Sequence, residues 1–435
     1  MTVAEVRLWG RRIGAVSLRD GEEVAAFQYD PEFVGSGIEV SPMRMPLSNS
    51  VYRFPELERR SFHGLPGMLA DALPDKFGNA LIDTWLARQG RRPDSFNAVE
   101  RLCYVGIRGM GALEFHPAQG PDPGKTGKVQ VDEMVILANK ILNQRGKLKA
   151  DFKEGKEGEA LQSILQVGTS AGGARAKAIL AWNPETNEVR SGQVEAGEGF
   201  GYWLMKFDGV DGNRDKELAD PKGFGAIEYA YSKMAKAAGI EMSECRLFEE
   251  GGRRHFMTRR FDRDEKGGKL HMQSFGGMAH LDFNRAGAYS YEQAMTAARG
   301  LGMPISSVEE QYRRMAFNIV ARNQDDHVKN IAFLMDKAGK WSLSPAYDVT
   351  YSYNPSGDWT GRHQMTMAGK RDGFTLEDFR ECEKNAGLKR GRGKAILEEV
   401  LDAVGKWPDI AGEIGVDGEW IQDIHANHRL NIPAK

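Results

Sequence analysis

The chain has little cysteine and nothing that arranges it. Its three cysteines, Cys103, Cys245 and Cys382, are far apart and odd in number. That excludes a disulfide framework and shows no metal-binding spacing; reduced structural thiols in a cytoplasm are the expectation. There is no apolar run long enough to span a bilayer, so no membrane association is expected. The N-terminus, MTVAEVRLWG, lacks the apolar core of a signal peptide. There is no excess of either charge: the formal net charge is −2, which excludes a global field for DNA or anionic lipid. Repeats and low-complexity tracts are also missing. What remains is an ordinary globular composition, 41% hydrophobic and 28% charged, over 435 residues. That length predicts two or three packed units.

Two familiar phosphate cradles are missing as well. The glycine-rich stretch VGTSAGGARAKAIL, 167–180, invites comparison with a Walker loop. A Walker lysine follows a glycine directly, whereas Lys177 sits between Ala176 and Ala178. The glycine order is also wrong for G-x-G-x-x-G. Taken alone, the stretch reads as a glycine-rich turn, since glycine supplies positive φ.

The pass along the chain gives three units. Residues 1–118 read as a mixed unit with hairpin strands in VRLWGRRIGAV and a helical stretch, 65–90, interrupted at Pro74. RLCYVGIRGMGALEF reads as a loop and a closing strand. AQGPDPGKTGK is the best boundary. Residues 129–265 alternate helix (DEMVILANKILNQR), strand (AKAILAWN), strand (GYWLMKFDG), amphipathic helix (FGAIEYAYSKMAKAAGI) and a hairpin turning at Gly251-Gly252. Residues 266–435 are predominantly helical. Tyr312, Met315, Ala316, Ile319 and Val320 form one helix face. Ser307 with Glu310 and Thr375 with Asp378 have capping-box spacing. The fold class is α+β: a mixed α/β N-terminal lobe followed by an all-helical C-terminal lobe, a two-lobed arrangement with a cleft between the lobes.

Several residues could carry phosphoryl transfer. Asp325 and Asn330 in RNQDDHVKNIAFL have D-x-x-x-x-N spacing, which puts a proton-accepting carboxylate and a metal-binding amide on one loop. Asp326 and His327 can equally bond the loop backbone. IAFLM and WSLS read as a hairpin that would bring Asp348 beside Asn330, a pair of hard oxygen ligands suited to magnesium. Lys206 lies in an apolar strand and needs a partner, a ligand or a route to water. Glu228, on the next helix, either pairs with it or is an exposed helix residue. The elements occur in kinase order, although the D-F-G tripeptide is absent: Asp348 is flanked by Tyr347 and Val349.

TSAGGARAKA (169–178), LMKFD, RRFDR (259–263), DDHVKN (325–330) and PAYDVT (345–350), in that order, resemble the HipA family, serine/threonine protein kinases of bacterial toxin–antitoxin modules. FHGLPGMLADALPD and YVGIRGMGALEF are similar to that family's N-terminal subdomain. The resemblance implies a protein-kinase-like fold with an extra N-terminal subdomain. It implies that Gly172, Gly173, Ala174, Arg175, Ala176 and Lys177 line the triphosphate of ATP and that Lys206 contacts its phosphates. It implies that Arg259, Arg260 and Phe261 offer backbone to adenine, with His327 and Tyr347 against the nucleotide. Asp325 would be the catalytic base, and Asn330 and Asp348 would hold Mg2+. Ser170 would be autophosphorylated, which silences the kinase. The resemblance further implies an aminoacyl-tRNA synthetase as target and a HipB-like helix-turn-helix antitoxin through which operator DNA is bound. The Arg175-Ala176 pair and Arg259 depart from the family's more polar and acidic residues there. These departures bear on substrate and regulator specificity. Two rivals are a small-molecule or lipid kinase, and a catalytically silent corepressor partner of an antitoxin.

Overall fold

The N-terminal alternation builds an antiparallel sheet. In the computed structural model, which describes residues 1–74, 76–120, 130–143, 164–165, 175–193, 196–210, 222–264 and 267–434, β1 (Thr2–Leu8) and β2 (Arg11–Leu18) pair across a two-residue turn. Trp9 and Gly10 there have φ of 51° and 78°, the double left-handed geometry that matches strand twist. β3 (Ala26–Tyr29), β4 (Val51–Tyr52) and β5 (Leu113–His116) complete the order β4-β3-β2-β1-β5. Helices Gly67–Ala70 and Lys76–Arg88 flank Pro74, where the interruption was expected. RLCYV, expected as loop, is instead the end of a helix, Ala98–Val105. Its cause is local: Asn97 and Glu100 form a reciprocal capping box at 3.0 and 2.8 Å.

A second sheet carries the candidate lysine. β6 (Lys177–Asn183), β7 (Glu188–Ser191), β8 (Gly201–Lys206), β9 (Cys245–Glu250) and β10 (Arg253–Arg259) take the order β7-β6-β8-β10-β9. The Gly251-Gly252 hairpin is present as read, with both φ positive. The helix Phe224–Ala237 lies against this sheet and buries Ile227, Ala230, Tyr231 and Met234. Gly225 permits the approach, since a Cβ there would meet the Arg254 carbonyl oxygen at 2.1 Å.

The C-terminal lobe is mainly helical but not all-helical. A three-stranded sheet, β11 (His271–Ser274), β12 (Ala332–Met335) and β13 (Trp341–Leu343), runs in the order β11-β12-β13. The hairpin of IAFLM with WSLS is as expected. β11 is the addition, and it pairs with the other edge of β12, all four of whose residues are buried. A fully buried strand needs partners on both edges for its backbone. Ser307 does not cap the following helix. That helix, Ile305–Val320, begins earlier, with Pro304 at its cap. Glu310 instead accepts from the Glu241 N–H at 3.1 Å and from Arg314 at 2.7 Å. The Thr375–Asp378 box does form.

The largest core is continuous from the first sheet, through the Phe224–Ala237 helix, into the C-terminal helices. A second core lies between the second sheet and the helices Lys76–Arg88 and Val131–Asn143. The N-terminal 118 residues therefore buttress both lobes. Among the described residues, no helix is long and apolar enough to cross a membrane.

Candidate functional site

Lys206 ends β8, with Lys177 as its cross-strand partner in β6 and Phe256 on the other side in β10. Both lysines are buried. Of the two readings for Glu228, the structure has the paired one: the residue is 1% exposed. Its Oε1 lies 2.5 Å from Lys206 Nζ, and its Oε2 is 3.3 Å from Arg175. Lys206 also donates to Asp348 Oδ1, joining the two lobes. Burial disfavours the charged forms of Lys206 and Asp348, yet opposite neighbours win. Asp348 and Glu228 hold the Lys206 ammonium above its ordinary range despite its desolvation. Lys206, and then Lys177, hold the Asp348 carboxyl well below its own. Among the described residues, Arg175, Lys177 and Lys206 bring positive charge to Glu228 and Asp348 here.

Asp348 is also a backbone outlier, with φ 51°. A non-glycine residue in that region costs energy and marks a site that the surrounding structure holds. The Asn323 amide helps by donating to the Asp348 carbonyl at 3.3 Å.

The D-x-x-x-x-N segment is a closed loop. Val328–Asn330 makes one 3₁₀ turn, and Asn330 Nδ2 donates to the Asp325 carbonyl at 2.8 Å. The Asp325 side chain is 44% exposed. Its Oδ1 accepts the indole N–H of Trp359 at 2.6 Å and lies 3.9 Å from His327 Nε2. Desolvation, with Asp348 and Asp326 adding negative charge, raises its pKa against the pull of His327 and Trp359. A raised carboxylate pKa suits a proton acceptor. Asp326 has the opposite character. It is buried and accepts from Tyr291 at 2.5 Å, from His363 at 2.7 Å and from the Gln364 N–H at 2.7 Å. Burial opposes its ionisation, but His363 and the other donors hold its pKa down. It anchors the loop from beneath. Because Arg429 can only donate, the His363 Nε2 that it contacts at 2.8 Å accepts, and Nδ1 carries the proton facing Asp326.

The backbone of the hinge segment is partly committed. The N–H groups of Arg259 and Arg260 are committed to the carbonyls of Glu244 and Tyr202, at 2.8 and 2.9 Å. These two residues can offer adenine only carbonyl oxygens. The Arg260 guanidinium is fully buried in a bidentate pair with Asp262, at 2.9 and 2.7 Å. Asp262 also accepts from the Gly111 N–H and from Arg263, which ties the N-terminal subdomain to the hinge. The Phe261 and Tyr347 rings approach to 5.6 Å across the lobes.

Of the expected triphosphate-lining residues, Gly172, Gly173 and Ala174 lie outside the described residues, as does the expected autophosphorylation site, Ser170. Arg175 is described, and its guanidinium is engaged by Glu228 and by the Phe224 ring at 4.0 Å. The Ala176 methyl belongs to the second core, and its carbonyl accepts from Phe207. Ala176 therefore serves packing, because strand pairing has already begun there. Lys177 lies with Lys206 near Asp348.

Asn330 and Asp348 suit a magnesium ion chemically. The Asn330 amide nitrogen is occupied by the Asp325 carbonyl, which leaves its oxygen as the metal-binding atom, and Asp348 supplies an ionised oxygen. Among the described residues no group of three or more His, Cys, Asp or Glu could hold a metal. Magnesium bound through nucleotide needs only one or two protein oxygens beside phosphates and water.

The residues not anticipated are Trp359, Asn323 and the Asp262–Arg263 pair. Trp359 carried a readable signal: a lone tryptophan in the polar loop YNPSGDWTGR, shortly after Asp348.

These lobes and this site define a kinase-like protein. Residues 4–116 match the sequence model of the HipA N-terminal domain, and residues 169–407 match that of the HipA-like C-terminal domain. The chain belongs to the HipA family. Its fold is similar to a chain of the Shewanella oneidensis HipA, HipB and operator DNA complex, at TM-score 0.67 and 17% identity, over 97% of this chain and 95% of that one. A Helicobacter pylori proinflammatory kinase, CtkA, is similar only at TM-score 0.34 and 10% identity, over 52% of this chain and 88% of its own. A curated Haemophilus influenzae protein with a provisional kinase designation is 26% identical over 205 residues. That match covers 41% of this chain and 59% of the relative's length.

Proposed function

We propose that this chain is an ATP- and magnesium-dependent kinase that phosphorylates serine or threonine in a protein. ATP sits between the lobe of residues 129–265 and that of residues 266–435. The observation that carries the reading is the buried Lys206, bonded at once to Glu228 and Asp348. A lysine held ionised between a helix carboxylate and a cross-lobe aspartate is the arrangement that positions nucleotide phosphates in kinases. Lys206 and Lys177 neutralise the phosphates. Asp325 accepts or orients the proton of the attacking hydroxyl. Asn330 and Asp348 would hold magnesium, which when bound offsets charge on the phosphates. Catalysis is then chiefly positioning and charge stabilisation.

The finer parts of the reading rest on family membership. The target is a protein of translation, of the aminoacyl-tRNA synthetase class, and its phosphorylation arrests growth in the cytoplasm. Phosphate on Ser170 silences the kinase, because nearly two added negative charges cannot remain in a phosphate pocket. The Shewanella assembly supports a HipB-like antitoxin partner. A net charge of −2 agrees with operator contact made through that partner.

The test is intact-mass and peptide mass spectrometry after incubation with ATP and magnesium. Wild type and Asp325→Asn are compared, each with a phosphatase-treated sample. Phosphate on Ser170 in wild type alone is the expected result. Nucleotide binding without any gain in mass would favour a metabolite kinase. Absence of nucleotide binding would overturn the reading.

A further inference from the structure

We infer that Trp359 is a positioning residue for the candidate base: its indole N–H clamps one oxygen of Asp325 and thereby aims the other at the acceptor hydroxyl. The inference rests on the phosphoryl-transfer reading above.

The geometry is specific. Asp325 is nearly half exposed, so packing alone does not fix its carboxylate. The terminal torsion of aspartate is broad and roughly two-fold, which lets either oxygen face a substrate. Trp359 Nε1 donates to Oδ1 at 2.6 Å and selects one orientation. A hydrogen bond to a charged acceptor is among the stronger kinds available.

The indole is itself held. Its loop is stitched to the residues on both sides of Asp325. Gln324 Nε2 donates to the Thr360 carbonyl at 2.9 Å. The Gln364 N–H donates to Asp326 Oδ1 at 2.7 Å. Gln364 Nε2 reaches back to the carbonyls of Trp359, Arg362 and Gln324. Asp326 is fixed in turn by Tyr291 and His363. Trp359 thus stands on the same buried frame that carries Asp325, so donor and acceptor move together. Supporting residues of this kind hold a catalytic group within fractions of an ångström of its working geometry. In the transfer, the hydroxyl proton passes to Oδ2 as the hydroxyl oxygen bonds the γ-phosphorus. The bond from that phosphorus to the bridging oxygen breaks, and ADP leaves.

Trp359→Phe keeps an aromatic ring and removes the donor. The assay follows the full-length chain with γ-labelled ATP and magnesium, scoring ADP release and phosphate incorporation. We expect kcat to fall about ten- to a hundredfold, the size of one hydrogen bond to a charged group. KM for ATP should stay within about twofold, because a residue that orients the base acts on the transfer step rather than on nucleotide binding. A second readout is independent of turnover. The indole N–H resonance that disappears in Trp359→Phe, one of eight in the chain, should move in Asp325→Asn. An unchanged or increased kcat in Trp359→Phe overturns the inference, and an increase would make Trp359 a plug. A resonance insensitive to Asp325→Asn also overturns it. If wild type transfers no phosphate, the kinase reading fails and the positioning role fails with it.

Discussion

Lys206→Met is the perturbation that most directly probes the cluster. Methionine keeps the length of the side chain and removes the ammonium. Two carboxylates, Glu228 and Asp348, then lose their shared cation. Stripping one partner from a buried ion pair costs ~3–5 kcal/mol. The low end applies here. Glu228 keeps Arg175 at 3.3 Å, and the Asp348 side chain is 28% exposed. About 3 kcal/mol is expected. With ~2.1 cal/mol/K of unfolding entropy per residue, 435 residues convert that into a melting point lower by about 3 °C. The pH dependence has a sign. Asp348 is held low, so its contribution is present above its ordinary carboxylate range and is lost only as pH falls through its folded value. Lys206 is held high, so its contribution is lost only at strongly alkaline pH. Between about pH 5 and pH 9 the wild-type cluster therefore contributes a constant amount. In the variant the Asp348 carboxyl loses the cation that holds it low, so it rises and can protonate on mild acidification. The deficit should shrink as pH falls toward about 5. Lys206→Met with Glu228→Gln should recover about half of the loss, since one orphaned charge is gone. The assay is thermal unfolding of the nucleotide-free protein across pH. A deficit under about 1 °C near neutrality, or one that grows on acidification, would refute the buried clamp.

Two further outcomes follow from the packing. His255 is buried, accepts the Asp208 N–H at 3.0 Å and is pushed down to about 4 by desolvation, while His280 accepts the Gly67 N–H at 3.0 Å and is likewise held at about 4. The unfolded chain binds protons that these rings refuse, so stability should drop as pH falls from about 6.5 to 4, by about 3 kcal/mol for His255; a melting point flat down to about pH 5 would contradict this. Gly67→Ala should destabilise by about 1–3 kcal/mol, because its Cβ would meet the Gly277 carbonyl at 2.2 Å and the His280 ring at 2.4 Å where the subdomain docks on the C-terminal lobe. Wild-type unfolding of that variant would show that the contact yields freely.

Short-range signals were legible. The Gly251-Gly252 turn, the break at Pro74 and the Thr375–Asp378 cap each depend on residues within a few positions. The D-x-x-x-x-N loop was readable for the same reason: Asn330 closes onto the backbone of Asp325 itself. Where a local signal was passed over, the error was local too. Asn97 and Glu100 cap the helix that was read as loop, and the Ser307 spacing misled because Pro304 starts that helix earlier.

By itself the sequence determined the order of elements and the chemical types available to the site: a lysine in an apolar strand and another after the glycine-rich stretch, a carboxylate on the next helix, and an aspartate and asparagine on one loop. Tertiary structure decided which of these charges would be buried together. Glu228 reads equally as solvated or paired until Lys206, 22 residues away, is packed against it. Asp348 meets Lys206 across 142 residues, and Trp359 meets Asp325 across 34. Periodicity encodes which face of an element is apolar, but not which distant charge that face will meet. That depends on how the lobes close around the shared core, and desolvation there converts ordinary polar residues into a site.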